Sequence, residues 1–399
     1  MKIINLTKET KQDILSSLLK RSPNNYSQYE KTVSDIIENV KNNKDVAVCA
    51  YTKQFDGFDL TSQNVRVTEA EIEEAISSMD AEFVAVMEKS AANIREYHEK
   101  QKRNSWFDAK EDGTILGQKV TPLEKVGIYV PGGKAAYPSS VLMNAIPAKV
   151  AGVDKIVMTT PCNKEGKVNP GTLAAAKVAG VDEIYKVGGA QAIAALAFGT
   201  ESIPKVDKIT GPGNIFVALA KKSVYGHVSI DSIAGPSEIL VLADETANPK
   251  YVAADLLSQA EHDELASAIL ITTSKELADE VSKWVVDFVG QLDRKEIMEK
   301  SLDNYGYILL ADTMEDAIDA ANEIASEHLE ILTKNPFEIM TKIRNAGAIF
   351  LGEYSSEPLG DYFAGPNHIL PTNGTAKFFS PLSVAAVFLS NYLTSITVP

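Results

Sequence analysis

Hydrophobic and polar residues change their spacing along the chain near Lys125. Before that point apolar residues recur every three or four positions, which is typical of amphipathic helices. The capping box Thr68–Glu71 predicts the start of a long helix that continues through Met87. After Lys125, apolar runs of strand length alternate with helical segments. The predicted strands are 126–130, 155–160, 183–187 and 208–210 in a first block, and 239–243, 268–271, 307–309, 328–331 and 348–351 in a second. Such alternation indicates parallel strands joined by right-handed crossovers.

The two blocks predict an α/β fold of two tandem Rossmann-like open α/β domains with a cleft between them, preceded by an N-terminal helical segment. A chain of 399 residues, 45% apolar and 23% charged, is long enough to bury the cores of two domains. The predicted divisions are 1–104 for the helical segment, 105–237 for the first α/β domain, 238–380 for the second α/β domain, and 381–399 for an atypical short tail.

The charge and the cysteine count exclude several classes of function. A formal net charge of −15 disfavours nucleic acid and anionic membranes as partners. No segment has the pattern of a signal peptide or a membrane span, so we expect a cytoplasmic protein. Cys49 and Cys162 are too few for a disulfide framework or a thiolate metal cluster. His98 and His227 are predicted to be ordinary surface residues.

Three predicted strands run directly into glycine-containing turns, at 130–133, 187–191 and 210–214. Ligands of open α/β sheets bind at the carboxyl ends of strands, where glycines allow backbone N–H groups to approach a phosphate. None of the three has the G-x-G-x-x-G pattern. The turns therefore indicate either an anionic nucleotide site or plain tight turns.

Two polar pairs are candidates for chemistry. A helix predicted to start after Asn248-Pro249 places Gln259 and His262 three residues apart on one face, where they can hold half of a zinc or manganese site or form a solvated face. Glu327 and His328 precede an apolar strand. Oxidation of an alcohol needs a base for the hydroxyl proton, and oxidation of the resulting aldehyde needs a base for water, so this pair can serve both steps unless it is simple surface polarity.

Four motifs carry a resemblance to a known family. They are GIYVPGG at 127–133, GPSEILVLAD at 235–244, LLSQAEHD at 256–263 and GDYFAGPNHILPT at 360–372. In this order, from about Val120 to about Leu382, the chain resembles the histidinol dehydrogenases, which complete histidine biosynthesis. The resemblance implies a zinc-dependent homodimer that oxidises L-histidinol through L-histidinal to L-histidine with two NAD.

The resemblance also assigns roles to particular residues. The catalytic proton acceptors it implies are Glu327 and His328. The NAD contacts it implies are Tyr129, Gln191 and Asn214. The substrate contacts it implies are Ser237, Gln259, His262, His328 and Asp361. The metal ligands it implies are Gln259, His262 and Asp361.

The resemblance fades after 380–384, and this bears on the expected activity. The family's C-terminal segment carries a glutamate that contacts substrate and a histidine that binds zinc, and residues 385–399 contain neither. We therefore expect weak zinc binding and impaired turnover. Two alternatives stay open: a paralogous dehydrogenase of another small polar alcohol, and a non-catalytic relative that only binds nucleotide or a partner subunit.

Overall fold

The computed structural model describes residues 1–21, 27–132 and 137–395. The strands are β1 Lys2–Asn5, β2 Trp106–Ala109, β3 Ile115–Pro122, β4 Lys125–Tyr129, β5 Lys155–Thr159, β6 Glu183–Tyr185, β7 Lys208–Thr210, β8 Ser229–Ile230, β9 Glu238–Ala243, β10 Ser267–Thr272, β11 Gly306–Leu310, β12 His328–Leu332, β13 Ala348–Leu351 and β14 Phe388–Ser395. The α-helices are α1 Lys8–Leu19, α2 Ser27–Phe55, α3 Glu69–Ser77, α4 Ala81–Glu99, α5 Pro138–Ala151, α6 Pro170–Ala179, α7 Gly189–Phe198, α8 Ile215–Val224, α9 Pro249–Ala260, α10 Lys275–Gln291, α11 Lys295–Tyr305, α12 Met314–Ile324, α13 Pro336–Met340 and α14 Glu357–Leu359.

The elements form two compact units, and each contains a parallel sheet with helices, which confirms the α/β prediction. Unit 1 consists of Met1–Ser27, Ser232–Tyr362 and Leu370–Pro381. Unit 2 consists of Gln28–Asp231, Phe363–Ile369 and Leu382–Pro399. The units are therefore not consecutive segments divided near residue 237, because the chain returns to unit 2 twice after leaving it.

Unit 1 is built on a six-stranded parallel sheet in the order β1-β11-β10-β9-β12-β13. The central strands are buried on both faces, as parallel sheets require, and their apolar runs supply both cores. Leu240 and Leu329 lie in one core, and Val241 and Leu270 lie in the other. Strand β9 lies between β10 and β12. The chain adds β10 and β11 on one side of β9 and β12 and β13 on the other, so the strand order reverses at β9.

The N-terminal segment departs from the prediction of a separate helical region. Residues Lys2–Asn5 form an edge strand that pairs in parallel with β11, and α1 belongs to unit 1, whereas α2 to α4 belong to unit 2. A four-residue run is too short to identify as a strand from its own sequence, because its pairing partner lies at Tyr307–Leu310. The Thr68–Glu71 capping box is confirmed, but α3 ends at Ser77 and Asp80 caps a new helix, α4.

Unit 2 contains a parallel sheet in the order β6-β5-β4-β7-β8 and a small antiparallel sheet in the order β14-β3-β2. The hairpin of β2 and β3 turns at Gly113, whose φ of 82° suits glycine. Strand β14 pairs with β3 from Phe388 opposite Pro122 to Ser395 opposite Ile115. Among the described residues, no helix has the length and hydropathy needed to cross a membrane.

The prediction that His98 is a surface residue is wrong. Its side chain is fully buried, because it lies on the face of α4 that packs into the unit 2 core together with Ala91 and Ile94. The ring contacts the carbonyl oxygen of Ile94 at 2.8 Å and the amide of Asn367 at 3.3 Å. Burial lowers the pKa of His98, so the ring is a neutral structural group.

Candidate functional site

At the amino ends of β9 and β12, the buried side chain of His328 contacts the backbone of Glu238. These strands are parallel neighbours with His328 opposite Ile239, so each begins at the same edge of the unit 1 sheet. Nδ1 of His328 lies 2.9 Å from the carbonyl oxygen of Glu238. Because a carbonyl only accepts, Nδ1 carries the proton and donates it. The other ring nitrogen, Nε2, is thereby directed at the carboxylates on the opposite side of the ring.

Glu327 lies just before β12. Its side chain therefore does not have to point to the face of the sheet opposite that of His328, as neighbouring residues within a strand do. Its Oε2 accepts a hydrogen bond from the backbone N–H of Glu238 at 3.0 Å and lies 3.7 Å from Nδ1 of His328. Glu327 and His328 are neighbours in sequence, yet both side chains belong to one buried cluster. This is the arrangement that a shared role in proton transfer requires.

Two carboxylates from the segment after β13 approach His328 from the Nε2 side. Oδ2 of Asp361 lies 3.0 Å from Nε2, and Oε1 of Glu357 lies 4.0 Å from it. Helix α14 and the π-helical turn Gly360–Ala364 place these two residues four apart in sequence on the same side. Gly360 permits the close approach, because a Cβ there would lie 2.4 Å from the ring of Phe350.

Burial and like charges shift the proton affinities of this cluster. Burial raises the pKa of Glu327 to about 8 and that of Glu357 to about 7. For His328, burial alone would lower the pKa, but the Asp361 and Glu327 carboxylates outweigh it and hold the pKa well above the ordinary value. A shifted set of acids and bases around one histidine is typical of a functional site.

Helix α9 contributes the predicted pair Gln259 and His262. Gln259 is buried and its side chain hydrogen-bonds to Glu357, which also accepts from the Ser258 hydroxyl at 2.8 Å. His262 lies two residues beyond the end of α9, where its ring hydrogen-bonds to the backbone of Ser258. Burial lowers the pKa of His262, which favours the neutral imidazole that a metal ligand must be.

The donor set of the cluster suits a divalent metal. Within the described part of the chain, one imidazole nitrogen and two carboxylate oxygens lie within 4.8 Å of one another, from His328, Glu357 and Asp361. Nitrogen and oxygen ligands of this kind suit zinc. The group shares Asp361 with the set predicted from sequence, while Gln259 is linked to it through Glu357. Ser237, the other predicted substrate contact, precedes β9 and its carbonyl accepts from Ser267 N–H at 3.0 Å.

The residues predicted to contact NAD lie in unit 2, at the carboxyl edge of its parallel sheet. Tyr129 ends β4, and its hydroxyl accepts from Gly189 N–H at 3.1 Å, where α7 begins. Gln191 lies in the first turn of α7. Asn214 caps α8, and its side chain accepts from the backbone N–H of Phe216 at 3.1 Å. Because β4 and β7 flank the point where the strand order reverses, this edge is where open α/β sheets bind ligands.

Several buried polar atoms at this edge lack a hydrogen-bond partner among the residues that the structure describes. They are the side-chain oxygens of Gln191, Thr159 and Thr210, the last two being the final residues of β5 and β7. Each buried unpaired oxygen costs about 1–3 kcal/mol. A polar ligand such as a dinucleotide would offset that cost, so the residues present fit the predicted cofactor.

The two-unit α/β fold and the buried histidine–carboxylate cluster with shifted pKa values are typical of an α/β enzyme. The sequence model of the family described as histidinol dehydrogenase matches residues 19–397. The chain belongs to the histidinol dehydrogenase family. The match continues beyond Leu382, where the motifs recognised in the sequence end.

Individual relatives agree with this assignment. The histidinol dehydrogenase of Clostridium acetobutylicum is 61% identical over 368 residues, which cover 92% of this chain and 85% of the relative. That of Geobacillus kaustophilus is 60% identical over 357 residues, which cover 90% and 84%. The crystal structure of histidinol dehydrogenase from Elizabethkingia anophelis superposes with a TM-score of 0.94 at 39% identity, covering 100% of this chain and 90% of that one.

Sequence reasoning missed three members of the cluster: Glu357, Glu238 and Arg21. Glu357 could have been found from its spacing, because it stands four residues before Asp361 at the start of a helix. Glu238 lies next to the predicted Ser237, but it occupies the first position of a buried strand and looks like a strand residue. Arg21 pairs with Glu238 from 217 residues away, and no local pattern points to it.

Proposed function

We propose that this protein oxidises L-histidinol through L-histidinal to L-histidine, using two NAD and one zinc ion. Family membership supports the substrate and the reaction. The observation that carries the chemistry is the buried His328 ring, held at Nδ1 by the Glu238 carbonyl and faced at Nε2 by Asp361. A ring fixed in this way presents one nitrogen for proton exchange.

His328 and Glu327 divide the proton transfers in this proposal. Nε2 of His328 accepts the hydroxyl proton of histidinol in the first oxidation. Glu327, whose pKa burial raises to about 8, accepts a proton from the water that adds to histidinal in the second. The two electrons of each oxidation leave as hydride, which is the chemistry that NAD supplies when bound.

Zinc would be held by Asp361 with Gln259 and His262, and His328 and Glu357 stand beside that group. A bound divalent cation orients a polar substrate and stabilises negative charge on its oxygen. The cation would also compensate the negative charge of Asp361. Since that carboxylate raises the pKa of His328, sharing it with a cation would lower the pKa of the ring, as acceptance of a proton requires.

NAD would be held in unit 2 by Tyr129, Gln191 and Asn214. The Gln191 oxygen, which has no hydrogen-bond partner within the described ranges, and the helix N-termini of α7 and α8 support this assignment, because they can bind the hydroxyl and phosphate groups of a dinucleotide. The backbone at Gly189 has a φ of 64°, and a Cβ there would lie 2.8 Å from that oxygen. Glycine at this position therefore leaves room for the Gln191 side chain.

We also propose that the protein is a homodimer. The antiparallel sheet of unit 2 exposes aromatic side chains, with Trp106 at 53%, Phe107 at 64% and Tyr392 at 87% of full exposure. Clusters of exposed aromatics are enriched at protein interfaces. Sedimentation of the purified protein at micromolar concentration should give twice the mass of the 43.2 kDa chain.

An assay of NADH formation tests the proposed activity. Purified protein is incubated with NAD and histidinol, with and without added zinc, and absorbance at the NADH band is followed. We expect histidinol-dependent NADH that increases with zinc and is abolished by His328→Ala. The matched control is His227→Ala, in which the replaced imidazole lies in unit 2 beside Phe198 and outside the cluster. A protein that forms no NADH with histidinol at any zinc concentration would contradict the proposal.

A further inference from the structure

The backbone of a single residue, Glu238, binds both candidate catalytic side chains. Its N–H donates to Oε2 of Glu327 at 3.0 Å, and its carbonyl oxygen accepts from Nδ1 of His328 at 2.9 Å. These two contacts set the direction of the carboxylate and the tautomer of the imidazole. Any displacement of the Glu238 backbone would therefore misplace both groups at once.

The Glu238 side chain in turn fixes that backbone. One carboxylate oxygen, Oε1, accepts from Nη2 of Arg21 at 2.5 Å. The other, Oε2, accepts from the backbone N–H groups of Glu327 at 3.4 Å and Asn373 at 3.2 Å. Glu238 and Glu327 thus hold each other reciprocally, each through its carboxylate and the other's N–H. The arrangement requires a correctly oriented Glu238 carboxylate.

Arg21 is the cation that pairs with this carboxylate inside the protein. The guanidinium is fully buried, and it also donates from Nη1 to the Leu265 carbonyl at 2.8 Å and from Nε to the Leu18 carbonyl at 3.3 Å. Its Cζ lies 5.1 Å from the ring centre of Tyr305. With its donors satisfied in three directions, the guanidinium presents Nη2 to Glu238 in one orientation.

Stability alone does not account for such a pair. Well-packed apolar residues often replace a buried ion pair at no loss of stability, since the desolvation of two charges offsets their attraction. Apolar residues could not, however, accept the hydrogen bonds that the backbone N–H groups of Glu327 and Asn373 donate to the Glu238 carboxylate. The pair therefore matters for the position of the catalytic groups.

We propose that Arg21 and Glu238 are a positioning pair for the reaction: the buried ion pair orients the Glu238 backbone, which in turn holds the Glu327 carboxylate and the His328 ring in place. Neither residue touches the reacting atoms. The proposal rests on the proposed function for the identity of the reaction, but its geometric part concerns His328 whether or not histidinol is the substrate.

Kinetics of three variants test the functional part. Arg21→Met and Glu238→Gln should each lower kcat for histidinol by roughly 10²-fold, the loss expected when catalytic groups are displaced by about 1 Å. KM should change by less than about threefold, since the other proposed substrate contacts Gln259, His262 and Asp361 remain. Arg21→Lys should retain more of kcat than Arg21→Met, because lysine keeps the positive charge but lacks the planar guanidinium group. Lys11→Met, which removes a partly exposed ion pair with Glu323 in the same unit, is the control and should leave kcat unchanged.

A spectroscopic readout separates this proposal from the proposed function. In protein labelled with 15N-histidine, the His328 ring is assigned by its loss in His328→Gln. We expect a proton fixed on Nδ1 in the wild type, and a shifted or exchange-broadened signal in Arg21→Met and Glu238→Gln at unchanged circular dichroism. Folded variants with wild-type kcat and an unchanged His328 signal would overturn the pairing. If the wild type lacks activity but the signal responds as expected, the proposed function fails and the positioning stands.

Discussion

Replacing Lys221 by methionine is expected to destabilise unit 2 and to weaken NAD binding. Lys221 lies on α8, and its ammonium donates to the Gly211 carbonyl at 2.9 Å and pairs with Asp231. Asp231 accepts from Gly211 N–H at 2.7 Å, so the ion pair holds both backbone groups of Gly211. Gly211 opens the loop that leads from β7 to Asn214. Both charged side chains are almost completely buried, with 2% and 5% exposure.

The magnitude follows from what the substitution leaves behind. Methionine fills most of the lysine volume, but Asp231 stays buried without its cation, which costs about 3–5 kcal/mol. At roughly 2–4 °C per kcal/mol for a unit of this size, the unfolding midpoint of unit 2 should fall by about 6–20 °C. The loop should also lose its fixed geometry, so KM for NAD should rise while KM for histidinol changes less.

Thermal unfolding of Lys221→Met beside Lys222→Met is the assay. Lys222 is the next residue on α8, and its ion pair with Glu30 is exposed, at 38% and 49%, so its removal should cost about 0–1 kcal/mol. The double variant Lys221→Met with Asp231→Asn should recover part of the loss, because the buried carboxylate is removed together with its cation. A Lys221→Met protein as stable as Lys222→Met would refute the reasoning.

Three further predictions concern the metal, the second oxidation and pH. If the wild type holds zinc weakly, at about one ion per subunit as proposed, His262→Ala should lose it. If Glu357→Ala loses the zinc and His262→Ala keeps it in metal analysis, the ligand set is the His328 group instead. Glu327→Gln should slow histidinal oxidation far more than histidinol oxidation, by roughly 10²- to 10⁴-fold, and equal losses in single-turnover measurements would disprove the division of roles. Burial raises the pKa of Asp56 from 3.8 to about 6, so the folded state favours the protonated acid and the stability of the protein falls as pH rises through this range. Asp56→Asn should therefore raise the unfolding midpoint at pH 8 but not at pH 3.5, whereas the control Asp59→Asn, at an exposed carboxylate, should not show this difference. An equal effect of Asp56→Asn at both pH values would show that the pKa is not raised.

Local patterns predicted the elements that carry the strongest periodicity. The apolar runs at 239–243 and 328–331 form β9 and β12, and the Asn248-Pro249 start gives α9 with Asn248 as its cap. The glycine turns at 187–191 and 210–214 lie at the carboxyl edge of the unit 2 sheet. These features depend on residues close together in sequence, so spacing alone is sufficient to find them.

Long-range contacts could not be predicted in this way. Strand β1 exists because β11 offers it a partner, and Arg21 acquires its role only when α1 packs in unit 1 beside Glu238. His98 looks like a polar surface residue until Asn367 and the core enclose it. In each case the partner is more than 200 residues away along the chain, where a single sequence carries no signal of contact.

Product analysis with histidinol tests the central claim most directly. Purified protein with zinc, excess NAD and a limiting, known amount of L-histidinol is run to completion, and NADH and amino acids are quantified together. Two oxidations by one site predict two NADH and one L-histidine for each histidinol, with no free histidinal accumulating. One NADH per histidinol with histidinal as the product, or no NADH from histidinol at all, would contradict the assignment of both oxidations to the Glu327 and His328 cluster.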